Sequence, residues 1–563
     1  MTRRIDRQLV LVALVAVAIV LPRSLMIARA QSPTMDSDEH LDQGLAYLRR
    51  QHHPQAYYDP PLGKMLVAFP LWVVGAQPRV FEYAEPTGGV ISRRTVLYDQ
   101  RLSTQALEFL VAGWKALLFV PCVIIAFAWA RQLYCTHAGW LAAALLLIDP
   151  TIAAHTAAAA LDVLAMEATI VACFLAWRFV KEPSSARLVA ASLGAAFATQ
   201  VKHTALILPG AFVLLALTCW FVRPRLAPSR DQNETSPAPS PRRALNLLAG
   251  AALLTLLFIW AMTLFDVSRP ADTRDLSGVS YSPGLNLRDD LLMPAMKVRW
   301  PAGIYIASVV GGFEHVGGGH AGYLWGEHRD HGWRHYFLAV ALYKVPIGIG
   351  LVLLLGLLSL IWRRPTWDEL SILIPALLCA TMIISTGYNV GFRHALPTYG
   401  LLLVFASRCL AAPSRVVSAL AWVGVIGALV HALTFHPDYL SYTNGWARRP
   451  YLAISDSNID WAQGVKQARR WIDAHPDQTR GRTVWIDFLN HPADPAIKTY
   501  LGDRVRHAGD LDRAPTSGLL ILSPIRLVGL YHGRDKYKHL RDVEPTDVIG
   551  HSLLVYDLDA PKP

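Results

Sequence analysis

Residues 9–28, LVLVALVAVAIVLPRSLMIA, are apolar over the length that an α-helix needs to cross a lipid bilayer. Similar stretches recur along the chain, which is 53% hydrophobic and 17% charged and has a mean hydropathy of +0.30. This composition excludes a soluble enzyme of the same length and is typical of a polytopic membrane protein. The apolar runs predict about eleven transmembrane helices: 9–28, 108–130, 138–156, 160–180, 187–201, 204–222, 244–264, 337–361, 370–386, 396–411 and 416–435.

The positive charges predict which side of the membrane each link occupies. The net charge is +11, but the arginines gather in short links between apolar runs, where they act as orientation signals and not as a nucleic-acid surface. A cytoplasmic N-terminus leaves these links inside, including the Pro/Ser-rich linker 223–243. The loops 31–105 and 265–336 and the tail 436–563 are then outside. The first 30 residues fit an uncleaved helix, which we favour, or a cleaved signal peptide.

The predicted fold is an all-α polytopic membrane module at 1–435 followed by an extracytoplasmic soluble α/β domain at 436–563. The tail contains strand-like runs, GLLILSPIRLVGLY and HSLLVYDLD, and an amphipathic stretch, WAQGVKQARRWIDA. The six cysteines lie in or beside apolar runs without a CxxC or zinc spacing. We therefore expect an integral protein of the plasma (inner) membrane with its functional groups on the outer face.

Ionisable residues concentrate at the predicted outer ends of the membrane helices. An ionised side chain in hydrocarbon costs about 2.5–3.5 kcal/mol, so each of these needs a partner or a function. Their common side predicts a shared polar cavity, in which cations neutralise a lipid phosphate and a carboxylate takes a proton from an attacking hydroxyl. The residues are Asp38, Glu39, Asp59, Lys64, Asp162, Lys202, Arg393 and His394.

Structural alternatives exist for several of these residues. Asp38 could N-cap a helix, because apolar residues follow it at helical spacing. Arg393 and Lys202 could be interfacial anchors, and Asp162 could pair with one of them. The pattern of residues alone leaves these alternatives open.

Several motifs carry a family resemblance. DEHLDQGLAYL and YYDPPLGKMLVAFPL, within 38–71, resemble the first lumenal loop of the protein O-mannosyltransferases, where an Asp-Glu pair precedes a His-Pro-Pro-Leu-Gly-Lys-like motif. GYNVGFRHALPTYGLLLVFASR, YLWGEHRDHGWRHYFLAVALYKVP and YLSYTNGW with DSNIDWAQGV are similar to segments of the bacterial phospholipid carrier-dependent, family-39-like glycosyltransferases. Both groups are GT-C superfamily enzymes, and the resemblance runs in order from residue 36 to about 556.

The resemblance implies an inverting glycosyltransferase. It would move a sugar from a polyprenyl-phosphate donor to a hydroxyl of a protein, lipid or polysaccharide acceptor, without a nucleic-acid partner. It also implies that Asp38 is the catalytic base and that Glu39 assists it. The donor phosphate would be bound by Arg393, Lys64, Lys202 and His394, with Asp162 and Asp59 in supporting roles.

The main departure from the family pattern is Asp59, which stands where the protein mannosyltransferases have His. Bacterial aminoarabinose transferases that modify lipid A carry an acidic residue near this point that is linked to a metal site. No cofactor is required, but Asp59 and His320 are the residues that we would assign to a divalent metal. The histidine-rich stretch 314–335 has no standard zinc spacing, and DSNIDW lacks the Gly of a calcium loop and reads as a helix entry.

A transporter or flippase of lipid-linked sugars is the alternative function. Such proteins often contain repeated halves with broken helices in matching positions, and no such repeat is visible in the sequence. The charged residues also lie on one side and not at the midplane. The sequence therefore favours the transferase, and it leaves the sugar and the acceptor unspecified.

Overall fold

The computed structural model describes residues 6–51, 59–84, 90–222, 239–273, 293–317, 319–411, 414–490, 494–531 and 533–560. Helices account for most of these residues. The helices up to the middle of the chain are α1 Arg7–Ala30, α2 Ser37–Leu48, α3 Pro61–Val73, α4 Thr104–Leu133, α5 Thr136–Ile148, α6 Pro150–Ala157, α7 Asp162–Lys181, α8 Ser185–Val201, α9 Leu208–Leu217, α10 Pro241–Met262, α11 Met293–Met296 and α12 Gly303–Gly317. The later helices are α13 Tyr336–Lys344, α14 Ile347–Trp362, α15 Leu370–Thr386, α16 Leu396–Ala406, α17 Arg415–Leu433, α18 Val465–Ala474, α19 Pro476–Thr479, α20 Pro495–Tyr500 and α21 Pro524–Val528.

Every predicted crossing falls on helical structure. Within the described ranges, six helices are long and apolar enough to span a membrane, and a seventh span results if α5 and α6, bent by 60°, are taken together. Three further apolar helices, α3, α14 and α15, are shorter. The prediction of a polytopic, mostly helical protein is confirmed, whereas the count of about eleven crossings stays a prediction. Residues 223–238 of the predicted cytoplasmic linker and 274–292 of the long loop lie outside the described residues.

Two predicted crossings are interrupted at proline. Asp149, between α5 and α6, has extended backbone, and its side chain accepts a hydrogen bond from the N–H of Ile152 at 2.8 Å, so that α6 begins at Pro150. Val345 is likewise extended, and α14 starts after Pro346. The residue before a proline is disfavoured in the helical region, which explains both breaks.

Two buried lysines donate to main-chain carbonyl groups of other segments of the chain. Lys115 of α4 donates to three carbonyls around the end of α6. Lys344, the last residue of α13, donates from Nζ to three carbonyls of the tail at 2.7–2.8 Å. Those acceptors are Leu440, Tyr442 and Asn458. Since a buried polar group without a partner costs about 1–3 kcal/mol, Lys344 is a strong link between the membrane helices and the tail.

A small layer of loops and short elements covers the ends of the helices near residues 31–105. Helix α2 packs against α3 and against strand β2. The strands β1 (Arg79–Ala84) and β2 (Val90–Thr95) form an antiparallel hairpin. Two more two-stranded sheets lie in the 265–336 region, formed by β3 (Val267–Ser268) with β4 (Trp300–Pro301) and by β5 (Gly322–Leu324) with β6 (Glu327–Arg329).

The tail contains a five-stranded mixed sheet. Its strands are β7 Val484–Asp487, β8 Arg506–His507, β9 Leu519–Leu522, β10 Asp547–Ile549 and β11 Leu553–Asp557. The order is β10-β11-β9-β7-β8, with β7 parallel to both β8 and β9 and the other pairs antiparallel. The residues before this sheet pack directly on the membrane helices: Lys466 pairs with Glu108 of α4, and the Lys466 N–H donates to Ser32 Oγ at 2.9 Å. An extracytoplasmic location for this α/β region stays a prediction.

Replacement of Lys344 tests its role as the link to the tail. Lys344→Met keeps the length of the side chain but removes three buried hydrogen bonds, so we expect the free energy of unfolding to fall by about 3 kcal/mol. Thermal unfolding of the detergent-solubilised protein, together with protease sensitivity of residues 436–563, measures this loss. Lys498→Met, at an exposed position, removes the same charge and serves as the control. Equal unfolding midpoints for the two variants would contradict the role assigned to Lys344.

Candidate active site

The acidic residues at the start of helix α2 lie on two different faces of that helix. It begins at Ser37, so Asp38 is its second residue and not its N-cap, which is Asp36. With 3.6 residues per turn, positions 36, 39, 40 and 43 share one face, and 38 and 42 lie on the opposite one. Asp36, Glu39 and His40 line a large polar cavity, and Asp38 does not.

The other face of α2 meets the β1–β2 hairpin. Thr95 Oγ1 donates to Asp38 Oδ1 at 2.6 Å, and Arg94 holds Asp42 with two hydrogen bonds at 2.6 and 3.2 Å. Burial raises the pKa of the Asp38 carboxyl to about 7, because the hydrogen bond from Thr95 offsets only part of the desolvation. The structure therefore separates Asp38 from the predicted phosphate-binding residues, since the helical repeat turns it away from them.

The GFRH motif is set in place by contact with the tail. Phe392–Ala395 forms a 3₁₀ turn, and the Phe392 N–H donates to Asn458 Oδ1 at 2.9 Å. Gly391 has φ +134°, and a Cβ there would lie 2.3 Å from Ser457 Oγ. Glycine is therefore required at this position by both backbone conformation and close approach. This turn presents Arg393 to the cavity.

The guanidinium of Arg393 contacts two carboxylates and one aromatic ring. Its Nη1 lies 3.1 Å from Asp36 Oδ2 and 3.5 Å from Asp162 Oδ2. The group lies 3.8 Å from the centre of the Trp461 ring, a cation–π contact. Burial alone would lower the pKa of this guanidinium, but the charges of Asp162, Asp36 and Asp456 raise it above its ordinary value. Its Nε is buried without a hydrogen-bond partner among the described residues.

A second cation and two histidines lie beside Arg393. Lys202 has extended backbone after α8 and forms an ion pair with Asp162. Burial, with the charges of Lys202 and Arg393, holds the pKa of His394 well below its usual range, so its ring is neutral. His394 Nε2 and both ring nitrogens of His203 are buried without hydrogen-bond partners in the described part of the chain. These unpaired donors and acceptors mark a place for a polar ligand.

The cavity has a volume of about 570 Å³ and brings most of the predicted site residues together. Its walls come from α2, the break before α7, the break after α8, α12, the GFRH turn and the tail. Predicted residues on its walls are Glu39, Asp59, Asp162, Lys202, His320, Arg393 and His394. Predicted residues away from its walls are Asp38 and Lys64.

Lys64 does not line the cavity and is connected to it through Gln43. It is fully buried and donates to Gln43 Oε1. Gln43 in turn donates from Nε2 to Glu39 Oε1 at 2.9 Å. The geometry therefore connects Lys64 with the carboxylate of Glu39, whereas direct contact with a phosphate was predicted.

The predicted metal ligands share the cavity without forming a complete donor set. Asp59 Oδ2 lies 3.7 Å from His40 Nε2. Burial alone would raise the pKa of Asp59, but the nearby His40 and the charges of Lys202 and Lys64 hold it below its usual range. His320 lines the same cavity, yet within the described ranges no group of three or more His, Cys, Asp or Glu could hold a metal ion. A divalent metal stays a prediction.

Sequence reasoning missed the contribution of the tail. The motif DSNIDW supplies Asp456 and Trp461 to the cavity, and Tyr531 lines it too. Tyr531 donates its hydroxyl hydrogen to Asp456, which has φ +63°. The left-handed backbone of Asp456 is unusual for a residue other than glycine, but it is a property of the folded chain and gave no signal in the sequence.

Comparison with known proteins gives three similarities. The sequence profile of the dolichyl-phosphate-mannose-protein mannosyltransferase family matches residues 15–265, which confirms the resemblance over that range. No curated protein matches the sequence significantly. Among solved structures, ArnT from Cupriavidus metallidurans bound to undecaprenyl phosphate is similar at 12% identity and TM-score 0.48, over 99% of this chain and 100% of that one. AglB, an archaeal oligosaccharyltransferase from Archaeoglobus fulgidus in complex with an inhibitory peptide and a dolichol-phosphate, is similar at 13% identity and TM-score 0.45, over 87% of this chain and 63% of that one.

The raised pKa of Asp38 predicts a pH-dependent effect on stability. The folded state holds this proton more tightly than the unfolded chain, whose aspartates titrate near about pH 3.9. The stabilisation is fully present below about pH 4 and is lost as the pH rises through about 7. Asp38→Asn cannot ionise, so its unfolding midpoint should match the wild type at about pH 4 and exceed it at about pH 8.

Thermal unfolding in detergent across this pH range provides the measurement. Asp510→Asn, at an exposed position, is the control and should follow the wild type throughout. A midpoint difference for Asp38→Asn that does not grow with pH would show that this carboxyl is ionised at little cost.

Proposed function

We propose that this protein is a glycosyltransferase that moves a sugar from a polyprenyl-phosphate donor to an acceptor hydroxyl on the extracytoplasmic face of the membrane, with inversion at the anomeric carbon. The observation that carries the proposal is the cavity in which Arg393 and Lys202, beside unpaired buried histidine nitrogens, face the carboxylate of Glu39. The match of residues 15–265 to a family of lipid-linked sugar transferases supports it.

Arg393 is suited to exchange one of its anionic partners for a phosphate. The side chain of Asp162 is 1% exposed, so this carboxylate stays with the guanidinium as a permanent partner. The side chain of Asp36 is 36% exposed and is therefore the partner that a donor phosphate would replace. Stacking on Trp461 fixes the plane of the guanidinium, which favours two parallel hydrogen bonds to phosphate oxygens. Lys202 adds a second positive charge beside Asp162.

Glu39 is the carboxylate that we assign as general base. It lines the cavity and is exposed, while Asp36 is paired with Arg393 and Asp38 with Thr95. The acceptor oxygen would attack the anomeric carbon, the bond from that carbon to the phosphate oxygen would break, and the proton of the hydroxyl would pass to Glu39. The bonding electrons leave with the polyprenyl phosphate, whose charge the cations stabilise. The role of Asp38 as base, which the family resemblance implies, is the competing assignment.

Removal of Arg393 tests the phosphate site. Arg393→Ala should weaken binding of undecaprenyl phosphate about 10–100-fold, because hydrogen bonds to charged groups are worth about 1.5–3 kcal/mol. Arg393→Lys should restore only part of this, since lysine lacks the planar fork. Binding is measured by native mass spectrometry of the detergent-solubilised protein. Undecaprenol, which lacks the phosphate, should bind all variants equally.

The control for this experiment is Arg448→Ala, whose side chain is 85% exposed and forms a surface ion pair with Glu544. It should bind undecaprenyl phosphate as the wild type does. If Arg393→Ala bound as well as Arg448→Ala, Arg393 would be a structural residue and the phosphate site would have to lie elsewhere.

Matched amide variants distinguish the two candidate bases. Glu39→Gln should lower turnover about 10²–10⁴-fold, the usual contribution of a general base, while undecaprenyl phosphate binding is unchanged. Asp38→Asn should keep turnover near that of the wild type. The assay follows release of polyprenyl phosphate from a radiolabelled polyprenyl-phosphate sugar in proteoliposomes supplied with a membrane extract as acceptor. A large loss in Asp38→Asn with little change in Glu39→Gln would reverse the assignment.

A further inference from the structure

The sheet of the tail has a cavity at the carboxyl ends of its parallel strands. Strand β7 lies between β8 and β9 and is parallel to both. The chain passes from β7 to β8 on one side and then returns to β9 on the other, so the connections leave the carboxyl edge in opposite directions. In open α/β sheets this reversal opens a crevice outside the carboxyl ends of the strands, and ligands bind there.

The cavity at this edge has a volume of about 640 Å³. Its walls come from the residues that end or follow each parallel strand: Asp487 and Asn490 for β7, Gly509 and Asp510 for β8, and Arg526 for β9. Because the three connections contribute together, the cavity is a product of the strand order and not a gap beneath one loop.

The base of the cavity is polar and holds one buried carboxylate between two cations. Asp487, the last residue of β7, is buried and accepts a hydrogen bond from the hydroxyl of Tyr537 at 2.7 Å. Its Oδ1 lies 3.3 Å from Arg526 Nε, and its Oδ2, which accepts from Tyr537, lies 3.6 Å from Lys536 Nζ. Lys536 also donates to two loop carbonyls at 2.6 and 2.8 Å, so its charge is engaged.

Asn490 provides a buried acceptor without a partner. Its Nδ2 donates to Asp494 at 2.9 Å, but its Oδ1 accepts no hydrogen bond within the described residues, although the residue is only 5% exposed. Such a group costs about 1–3 kcal/mol unless water or a ligand donates to it. Since Asn490 lines the cavity, a ligand with hydroxyl groups would satisfy it.

The composition of the wall indicates a neutral polyhydroxylated ligand. Acidic and basic side chains nearly balance, and the aromatic rings of Phe488 and Tyr537 add apolar surface. Sugar hydroxyls both donate and accept hydrogen bonds, which suits a wall of carboxylates, amides and guanidinium groups. The charged side chains are Asp487, Asp510, Asp512, Asp535, Arg526, Arg534 and Lys536.

Arg526 connects this cavity with the candidate active site, because it lines both. Its Nε donates to the Phe488 carbonyl at 3.0 Å. In the described part of the chain, all hydrogen bonds donated by Arg526 come from Nε, which leaves its terminal nitrogens for ligands. A molecule that occupied the sheet cavity could therefore extend past Arg526 towards Glu39.

We propose that the carboxyl edge of this sheet is a saccharide-binding site, and that the saccharide it binds is the non-reacting part of the acceptor. The second clause rests on the proposed function, whereas saccharide binding does not. The acceptor would thus be a glycan or glycolipid, held by the tail while one of its hydroxyls reaches the active cavity.

Saturation-transfer NMR with the full-length protein in detergent tests the site without any need for turnover. The probes are the methyl glycosides of glucose, mannose and galactose, N-acetylglucosamine, and lactose, with inorganic phosphate followed by ³¹P line broadening. We expect saccharide signals in the wild type and affinity at least about tenfold weaker in Asn490→Leu, equivalent to one buried hydrogen bond.

A second variant keeps the test decisive if Asn490→Leu does not fold. Gly509 is exposed, and a Cβ there would meet Asp487 Oδ1 at an ordinary distance of 3.4 Å, so Gly509→Trp should fill the cavity without disturbing the fold. Gln478→Trp, exposed on α19, adds the same bulk elsewhere and should bind as the wild type does. Arg393→Ala should also retain saccharide binding, which separates this site from the phosphate site.

Absence of saccharide signals in the wild type, equal binding by Gly509→Trp and Gln478→Trp, or binding of phosphate alone would each overturn the proposal. Failure of the proposed transferase activity would instead appear as no release of polyprenyl phosphate, with saccharide binding unaffected.

Discussion

The guanidinium of Arg393 is the point at which three distant parts of the chain meet. Asp36 comes from the N-cap of α2, Asp162 from the start of α7 and Trp461 from the tail, and all three contact this one group. A buried cation is tolerated only when it is paired and its surroundings are polar. The cavity therefore exists where it does because these partners have to converge on Arg393, and they bring the ends of several helices with them.

The need to pair buried polar groups also shapes the membrane module away from the cavity. Buried main-chain carbonyl groups need donors, and Lys115 and Lys344 supply them around the end of α6 and in the tail. These lysines are easily mistaken for functional residues in the sequence, because an ionisable group in an apolar run suggests a site. Their hydrogen bonds to main-chain carbonyl groups indicate a structural role, which is to stabilise irregular backbone.

The sequence predicted the helices well and the site in part. Apolar runs and the positions of charged residues depend on local chemistry, so each crossing fell on helical structure. The faces of α2 could also have been separated in advance, because its 3.6-residue repeat assigns Glu39 and Asp38 to different sides. The contribution of Asp456 and Trp461 to the cavity could not have been predicted from the sequence. Only tertiary packing, through Gly391 and Lys344, brings the tail to the GFRH turn.

The dependence of the cavity on the tail has a consequence for biosynthesis. Glu39 and Arg393 precede α17 in the chain. Trp461 and Tyr531, which also line the cavity, come after α17 and belong to the tail. A nascent chain that has inserted all its membrane helices still lacks one wall of the cavity. If the tail is translocated as predicted, the order of synthesis delays assembly of the cavity until the last segment has crossed the bilayer, and half-made chains lack the complete cavity.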